Sequence, residues 1–231
     1  MCVTEDLVRV LPDSRTRQKG WRLFLKVAFD KTTASIILLI CTPLLLVIAV
    51  SVWATLGRPV LYRQRRPGRD ARLFEIVKFR TMRLASDPKL ELESDAQRLS
   101  RVGRFLRSTS LDELPELWNV LRGELSLVGP RPLLIQYLDR YTPEQARRHQ
   151  VLPGITGWAQ INGRNDVSWE RKFDLDIWYV EHWSFWLDVR ILIRTIGAVT
   201  ARKGVSLTGH ATTAEFLGTQ KPTPTNRRST T

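Results

Sequence analysis

Cysteine and histidine are scarce in this chain. Cys2 and Cys41 are the only cysteines among 231 residues, and Cys41 lies inside an apolar run. Two such thiols exclude a disulfide framework and a Cys-rich zinc site, and they suit a reducing compartment. The three histidines, His149, His182 and His210, have no metal-ligand spacing. Internal repeats are also missing, and only the tail at 219–231, TQKPTPTNRRSTT, has the composition of a disordered segment. What is left is the length of one domain with appendages, sufficient to bury a core.

Acidic charge is in short supply too. Lys and Arg number 36 against 23 Asp and Glu, a net charge of +13. The expected partner is therefore anionic: phosphate, nucleic acid or a lipid headgroup. Charge of either sign is absent from Thr32 to Gly57, where ASIILLICTPLLLVIAVSVWATL is nearly all apolar. About 20 such residues suffice to cross a bilayer. The long segment ahead of the run, and the lack of a small-residue cleavage site after it, argue against a removable signal. The chain is expected to be membrane-bound.

Whether the run at 32–57 spans or dips is a separate question. Pro43 sits near its middle, where it cannot donate to the carbonyl of Leu39 and its ring bends the helix. Thr42 can bond back to a preceding carbonyl, which reinforces the bend and shelters a polar group in lipid. Basic residues flank both ends: Arg9, Arg15, Arg17, Lys19, Arg22, Lys26 and Lys31 before it, and Arg58, Arg63, Arg65, Arg66, Arg69, Arg72, Lys78, Arg80 and Arg83 after it. Positive flanks favour the cytoplasmic side. On both ends at once they favour a bent, re-entrant helix over a single crossing, although either reading is open at this point. The N-terminal segment at 1–31 includes WRLFLKVAFDK, a pattern suited to a helix at headgroup level. Farther on, Trp178, Trp183 and Trp186 interleave with aliphatic and basic residues up to 199, and the stretch at 185–199 is expected at the membrane interface.

The remainder, 58–218, reads as a cytoplasmic domain, α+β but mostly helical. VLYRQRRPGRDARLFEIVKFRTM predicts two strands around a Pro67-Gly68 turn, with Lys78 and Arg80 two residues apart on one strand face. RLSRVGRFLRSTS predicts a short basic helix with Arg101, Arg104 and Arg107 at i, i+3, i+6. Immediately after it come Asp112 and Glu113. Ser110 and Glu113 match a capping box, yet Pro115 would then meet the carbonyl of Leu111. A cap nearer Asp112 puts Pro115 in the first turn, with Leu114, Leu117, Trp118 and Leu121 as the apolar stripe and Gly123 as the stop. Two carboxylates at such a helix start can be a cap and nothing more. They can also be a nucleophile and a Mg²⁺ site facing a diphosphate, since that ion takes one or two carboxylates plus phosphate oxygens. Arg131, fixed between Pro130 and Pro132, can present its guanidinium fork to phosphate. The run at 153–165, with Asn162, Gly163 and Arg164, has loop chemistry suited to a nucleotide, or to a plain turn.

Taken in order, KFRTM (78–82), SLDELPELWNVLRGELSLVGPRPLL (110–134), RHQVLPGITGWAQINGRN (148–165) and WERKFDLDIWYVEHWSFWLDVRILIRT (169–195) resemble the bacterial sugar transferases, the small monotopic phosphoglycosyl transferases. The ending GVSLTGHATTAEFLG (204–218) looks most like the subgroup that uses UDP-N,N′-diacetylbacillosamine. The resemblance implies a re-entrant helix broken at a Ser-Pro pair, which is Thr42-Pro43 here, and a catalytic Asp-Glu dyad at Asp112 and Glu113. It implies transfer of a sugar 1-phosphate from a UDP-sugar to polyprenyl phosphate, through an aspartyl-phosphosugar intermediate, with Mg²⁺ held by the dyad. Lys78, Arg80, Arg104, Arg107 and Arg131 are then expected phosphate contacts, with Asn162 and Arg164 on the nucleotide side. The expected setting is the cytoplasmic face of a bacterial inner membrane. Membrane lipids are partners, nucleic acid is not, and a homodimer is left open. Larger members carry transmembrane helices ahead of this core, which the residues before Trp21 are not expected to supply. Two other readings survive: a non-enzymatic basic tether for polyanions, and a phosphatase of lipid diphosphates.

Overall fold

The computed structural model describes residues 18–83, 98–163, 167–200 and 215–218. The chain is mostly helical with two small two-stranded sheets. Helix α1, Gly20–Leu56, is a single helix of 37 residues that joins the interfacial segment to the apolar run without interruption. At 1.5 Å per residue it would measure about 55 Å if straight, against about 30 Å for the hydrocarbon core of a bilayer. It contains Pro43 and ends at Gly57, which adopts a positive φ of 74° and whose N–H returns to the Trp53 carbonyl. Four of its hydroxyls bond internally: Thr42 Oγ1 donates to the Leu38 carbonyl at 2.7 Å, and Ser35, Ser51 and Thr55 likewise bond back by four residues. Lipid demands that accounting, because it offers no partner of its own.

The two ends of α1 are both anchored to the rest of the protein. Toward the N-terminus Lys26, Asp30 and Ala34 are buried, and toward the C-terminus Ile48 and Val52 are buried. Between 35 and 47 no residue is buried, and Ile36, Leu39, Ile40, Leu46 and Val47 stand more than half exposed. At the first anchor Lys26 Nζ donates to Asp188 Oδ2 at 2.6 Å and lies 3.5 Å from Asp30, whose Oδ2 accepts from Ser126 Oγ at 2.7 Å. Trp183 Nε1 and the Tyr179 hydroxyl complete the shell around Asp188. At the second anchor Ile48 and Val52 pack with Phe79 and Leu106, and the Arg80 guanidinium donates to the carbonyls of Leu56, Gly57 and Arg58.

Strands β1, Leu61–Pro67, and β2, Leu73–Phe79, pair antiparallel around the expected turn, with Tyr62 opposite Lys78 and Arg66 opposite Phe74. The turn is longer than a Pro-Gly pair, since a 3₁₀ turn at Arg69–Ala71 follows Gly68. Helix α2, Arg101–Ser108, is capped by Ser100, whose hydroxyl accepts from the Gly103 N–H at 2.8 Å. Gly103 is obligatory there, because a Cβ would lie 2.0 Å from the Thr81 carbonyl oxygen. Helix α3, Glu116–Arg122, follows Pro115 and ends at Gly123 in the left-handed region, as its sequence predicts. Leu117 and Val120 face the main core, but Trp118 does not. It is exposed and lines, with Leu38 of α1, Leu61, Val77 and Pro115, a groove of about 280 Å³.

A second sheet pairs two three-residue strands, β3 (Ser126–Val128) and β4 (Gly154–Thr156), in parallel. Gly154 allows the strands to close, since a Cβ on it would fall 2.0 Å from the Gly129 nitrogen. Between them lie a 3₁₀ turn at Ile135–Arg140, helix α4 (Pro143–Ala146, with a capping box from Thr142 and Gln145) and a 3₁₀ turn at Arg147–Gln150. Of the stretch at 153–165 read as a loop, Gly154–Thr156 is strand β4 and Trp158–Gly163 is helix α5, and 164–165 lie outside the described residues. Helices α6, Trp169–His182, and α7, Phe185–Thr200, close the fold. Trp183 is buried, while Trp186, Ile193 and Ile196 of α7 are exposed, as are Trp21 and Phe24 of α1, and α1 meets α7 at the Phe29–Phe185 ring contact.

Candidate active site

Asp112 and Glu113 lie in a 3₁₀ turn, Leu111–Glu113, wedged between α2 and α3. The capping box is not formed: Ser110 sits in the left-handed region at φ 56°, and its side chain makes no cap. Its carbonyl instead accepts from the Glu113 N–H at 3.2 Å, which shapes the turn. The hairpin brings Lys78 to this turn, and the loop after β3 brings Arg131. Lys78 Nζ lies 2.7 Å from Glu113 Oε1 and 2.9 Å from Glu116 Oε1, and Arg131 Nη2 bonds the same Oε1 of Glu113. Arg131 keeps 43% of its side chain exposed, so part of its fork faces solvent. Arg107 of α2 donates Nε–H to Thr81 Oγ1 at 3.0 Å and acts electrostatically on Asp112.

The three carboxyl groups of this cluster are held in different states. Burial would raise Glu113, but Arg131 and Lys78 bonded to it hold it well below the usual range. Burial, and then the charge of Glu113, raise Asp112 above an ordinary carboxylate, with Lys78, Arg107 and Arg131 opposing. Glu116, 1% exposed, is pushed up to about 7 by burial and by Glu113. Arg131 is raised further by Glu113. Groups pushed apart in this way are characteristic of sites that do chemistry, though ion-pair networks share the trait.

Of the residues named from sequence, Asp112, Glu113, Lys78, Arg107 and Arg131 are brought together. Arg80 is not. Buried to 3% exposure, it caps the carbonyl end of α1, a role invisible to a two-residue strand spacing. Arg104 stands exposed on α2, outside the bonded cluster. Asn162 is exposed on α5, where its Nδ2 donates to the Trp158 carbonyl and its Oδ1 accepts from Arg194 at 3.4 Å. Arg164 lies outside the described residues. Glu116 was missed by the sequence reading. Its signal was present, three residues after Glu113 and one after Pro115, but it looked like an ordinary acidic first turn.

Among the described residues no group of three or more His, Cys, Asp or Glu side chains is placed to hold a metal unaided. The donor set does suit Mg²⁺ in its usual substrate-bound form, which needs one or two carboxylates and phosphate oxygens. Both cations that neutralise Glu113 use Oε1, so Oε2 and the Asp112 carboxylate are the fitting donors.

A cluster of carboxylates and cations thus sits on a domain clasped to both ends of an apolar helix. The family described as "Bacterial sugar transferase" matches residues 21–202, and the chain belongs to that family. It is 52% identical to the uncharacterized sugar transferase EpsL of Bacillus subtilis, across 85% of this chain and 97% of that protein. It is 42% identical to the UDP-galactose-lipid carrier transferase of Erwinia amylovora, across 85% of this chain and 45% of that protein. To the UDP-glucose:undecaprenyl-phosphate glucose-1-phosphate transferase of Escherichia coli it is 39% identical, across 82% and 43%. The chain thus spans nearly all of the first relative and less than half of the other two.

Proposed function

We propose that the chain is a phosphoglycosyl transferase that moves a sugar 1-phosphate from a UDP-sugar to polyprenyl phosphate, releasing UMP, as an early membrane step in building a glycoconjugate. The observation that carries this reading is the Asp112 carboxylate set among Lys78, Arg107 and Arg131, next to a Glu113 already neutralised by two cations. In the first step a carboxylate oxygen of Asp112 attacks the sugar-bearing phosphorus. The bond from that phosphorus to the UMP oxygen breaks, and UMP leaves with the electron pair. In the second step an oxygen of polyprenyl phosphate attacks the same phosphorus, and the Asp112 carboxylate is regenerated. A covalent stage lets a water-borne donor and a lipid-borne acceptor be handled in turn. Arg131, Arg107 and Lys78 bind the phosphoryl oxygens and offset charge as it develops. Asp112 and Oε2 of Glu113 would hold Mg²⁺, which supplies charge neutralisation on the diphosphate.

The topology proposed is monotopic. Both ends of α1 are packed against one domain, while its middle, with Pro43, is left exposed. A helix crossing the bilayer would carry its far end away from that domain. In this reading the helix bends in lipid at Pro43, and the domain rests on the cytoplasmic face of the inner membrane with the apolar rims of α1 and α7 in the interface. The sugar is read from the relatives' names, glucose and galactose, and from the bacillosamine-like ending. The test is UMP release from UDP-glucose, UDP-galactose and UDP-N,N′-diacetylbacillosamine with undecaprenyl phosphate present. One of them is expected to give a single stoichiometric release of UMP per enzyme without lipid, and sustained release only when the lipid is present. Free inorganic phosphate, with no need for a nucleotide sugar, would favour a phosphatase instead.

A further inference from the structure

The hairpin face that carries Lys78 carries Tyr62 directly opposite it. By the two-residue period of a strand, Gln64 and Arg66 share that face. Arg66 Nη2 donates to Gln64 Oε1 at 2.6 Å, so its bonded partner is neutral. Pro67 and Gly68, next in the chain, line a small cavity together with Pro130, Arg131 and Pro132. The two segments are tied to one 3₁₀ turn: His149 Nδ1 bonds the Gly68 carbonyl at 3.0 Å, and Arg148 Nη2 donates to the Arg131 carbonyl at 2.6 Å. Arg148 is itself locked by Asp176 at 2.7 Å, both side chains being nearly inaccessible. The end of β1 is therefore held against the Arg131 loop, which brings the Arg66 guanidinium within electrostatic reach of Arg131. Burial, and then the charge of Arg131, lower the pKa of Arg66 accordingly. Glu113 is already taken by Arg131 and Lys78. Glu116 also acts on both cations, but the bonded partner of Arg66 is neutral, so the pair forms a cradle for an added anion.

We propose that Arg66, oriented by Gln64, is a further substrate contact that binds a phosphate group beside Arg131. The inference rests on the transferase reading and deepens it by extending the row of cations from Arg107 and Lys78 past Arg131 to the hairpin. The ligand chemistry is a phosphate, carried either by the nucleotide diphosphate or by the lipid. The experiment uses the full chain in lipid nanodiscs and compares Arg66→Gln, Arg66→Lys and Gln64→Glu with the parent. The readouts are the dissociation constant for UDP, the KM for the UDP-sugar, the KM for polyprenyl phosphate and the melting temperature.

Arg66→Gln is expected to weaken one substrate by about tenfold or more, the loss typical of one charge-assisted contact. Gln64→Glu, which neutralises Arg66 without shortening it, is expected to weaken the same substrate, and Arg66→Lys to retain part of the binding. A nucleotide contact moves UDP affinity and the UDP-sugar KM and leaves the lipid KM alone, and a lipid contact does the reverse. All values within twofold of the parent in Arg66→Gln, or in Gln64→Glu if the first variant unfolds, would overturn the proposal. A parent protein that binds no UDP and releases no UMP would sink the transferase reading itself, and this inference with it.

Discussion

Three carboxyl groups within five residues, Asp112, Glu113 and Glu116, are given different protonation by their neighbours, and two predictions follow from that at the residue scale. In the proposed mechanism Asp112 attacks only when ionised, and its pKa is raised, so the acid limb of kcat/KM should fall above the ordinary aspartate value of about 3.9. A pH–rate profile whose acid limb lies at or below that value would contradict the assignment. Glu116 has a folded pKa of about 7 against an ordinary 4.5. Its stabilisation is therefore present below about pH 4.5 and is lost as pH rises through 7. Glu116→Gln removes the titration, so its stability relative to the parent should rise across that window, by on the order of 1–3 kcal/mol. Denaturant titrations at pH 5 and pH 8 measure the difference, and a constant offset would count against a raised Glu116. The residues legible from sequence were those with a local signature: an adjacent acidic pair, and an Arg fixed between prolines. Glu116 and Arg66 were not legible, because each gains its meaning from a partner more than thirty residues away in the chain.

The long helix and the hairpin were readable as elements, because apolar length, Pro43 and the Pro67-Gly68 turn are local facts. The parallel pairing of β3 with β4 was not. Strands of three residues carry no periodic signal, and the contact joins Ser126 to Gly154 across two intervening turns. The bonded partners of Arg80 were hidden for the same reason, since they are the carbonyls at 56–58. Arg80→Ala should therefore lower stability by about 1.5–3 kcal/mol, the scale of hydrogen bonds to a charged group. The KM for the UDP-sugar should stay unchanged, and a selective rise in that KM at unchanged melting temperature would restore a phosphate role. At the other anchor, Asp188→Asn breaks a buried ion pair whose side chains are 1% and 4% exposed. Removing one partner leaves Lys26 under-compensated and is expected to cost about 3–5 kcal/mol. Thermal unfolding in nanodiscs reads this directly.

For the whole molecule, the order of motifs along the chain was enough to identify the family, whereas the path of α1 through lipid depends on packing at both its ends. With Cys41→Ala as background, Cys2 and a cysteine introduced as Arg58→Cys should both react with an impermeant thiol reagent from the cytoplasmic side only. Reaction from opposite sides would make α1 a spanning helix. The central claim is that Asp112 becomes covalently phosphorylated, and the most direct measurement withholds the lipid. The protein is incubated with a UDP-sugar labelled in the sugar-linked phosphate, then digested and mapped. Label on the peptide bearing Asp112, absent in Asp112→Asn and discharged when polyprenyl phosphate is added, is the predicted result. Unlabelled protein that still turns over both substrates together would contradict it.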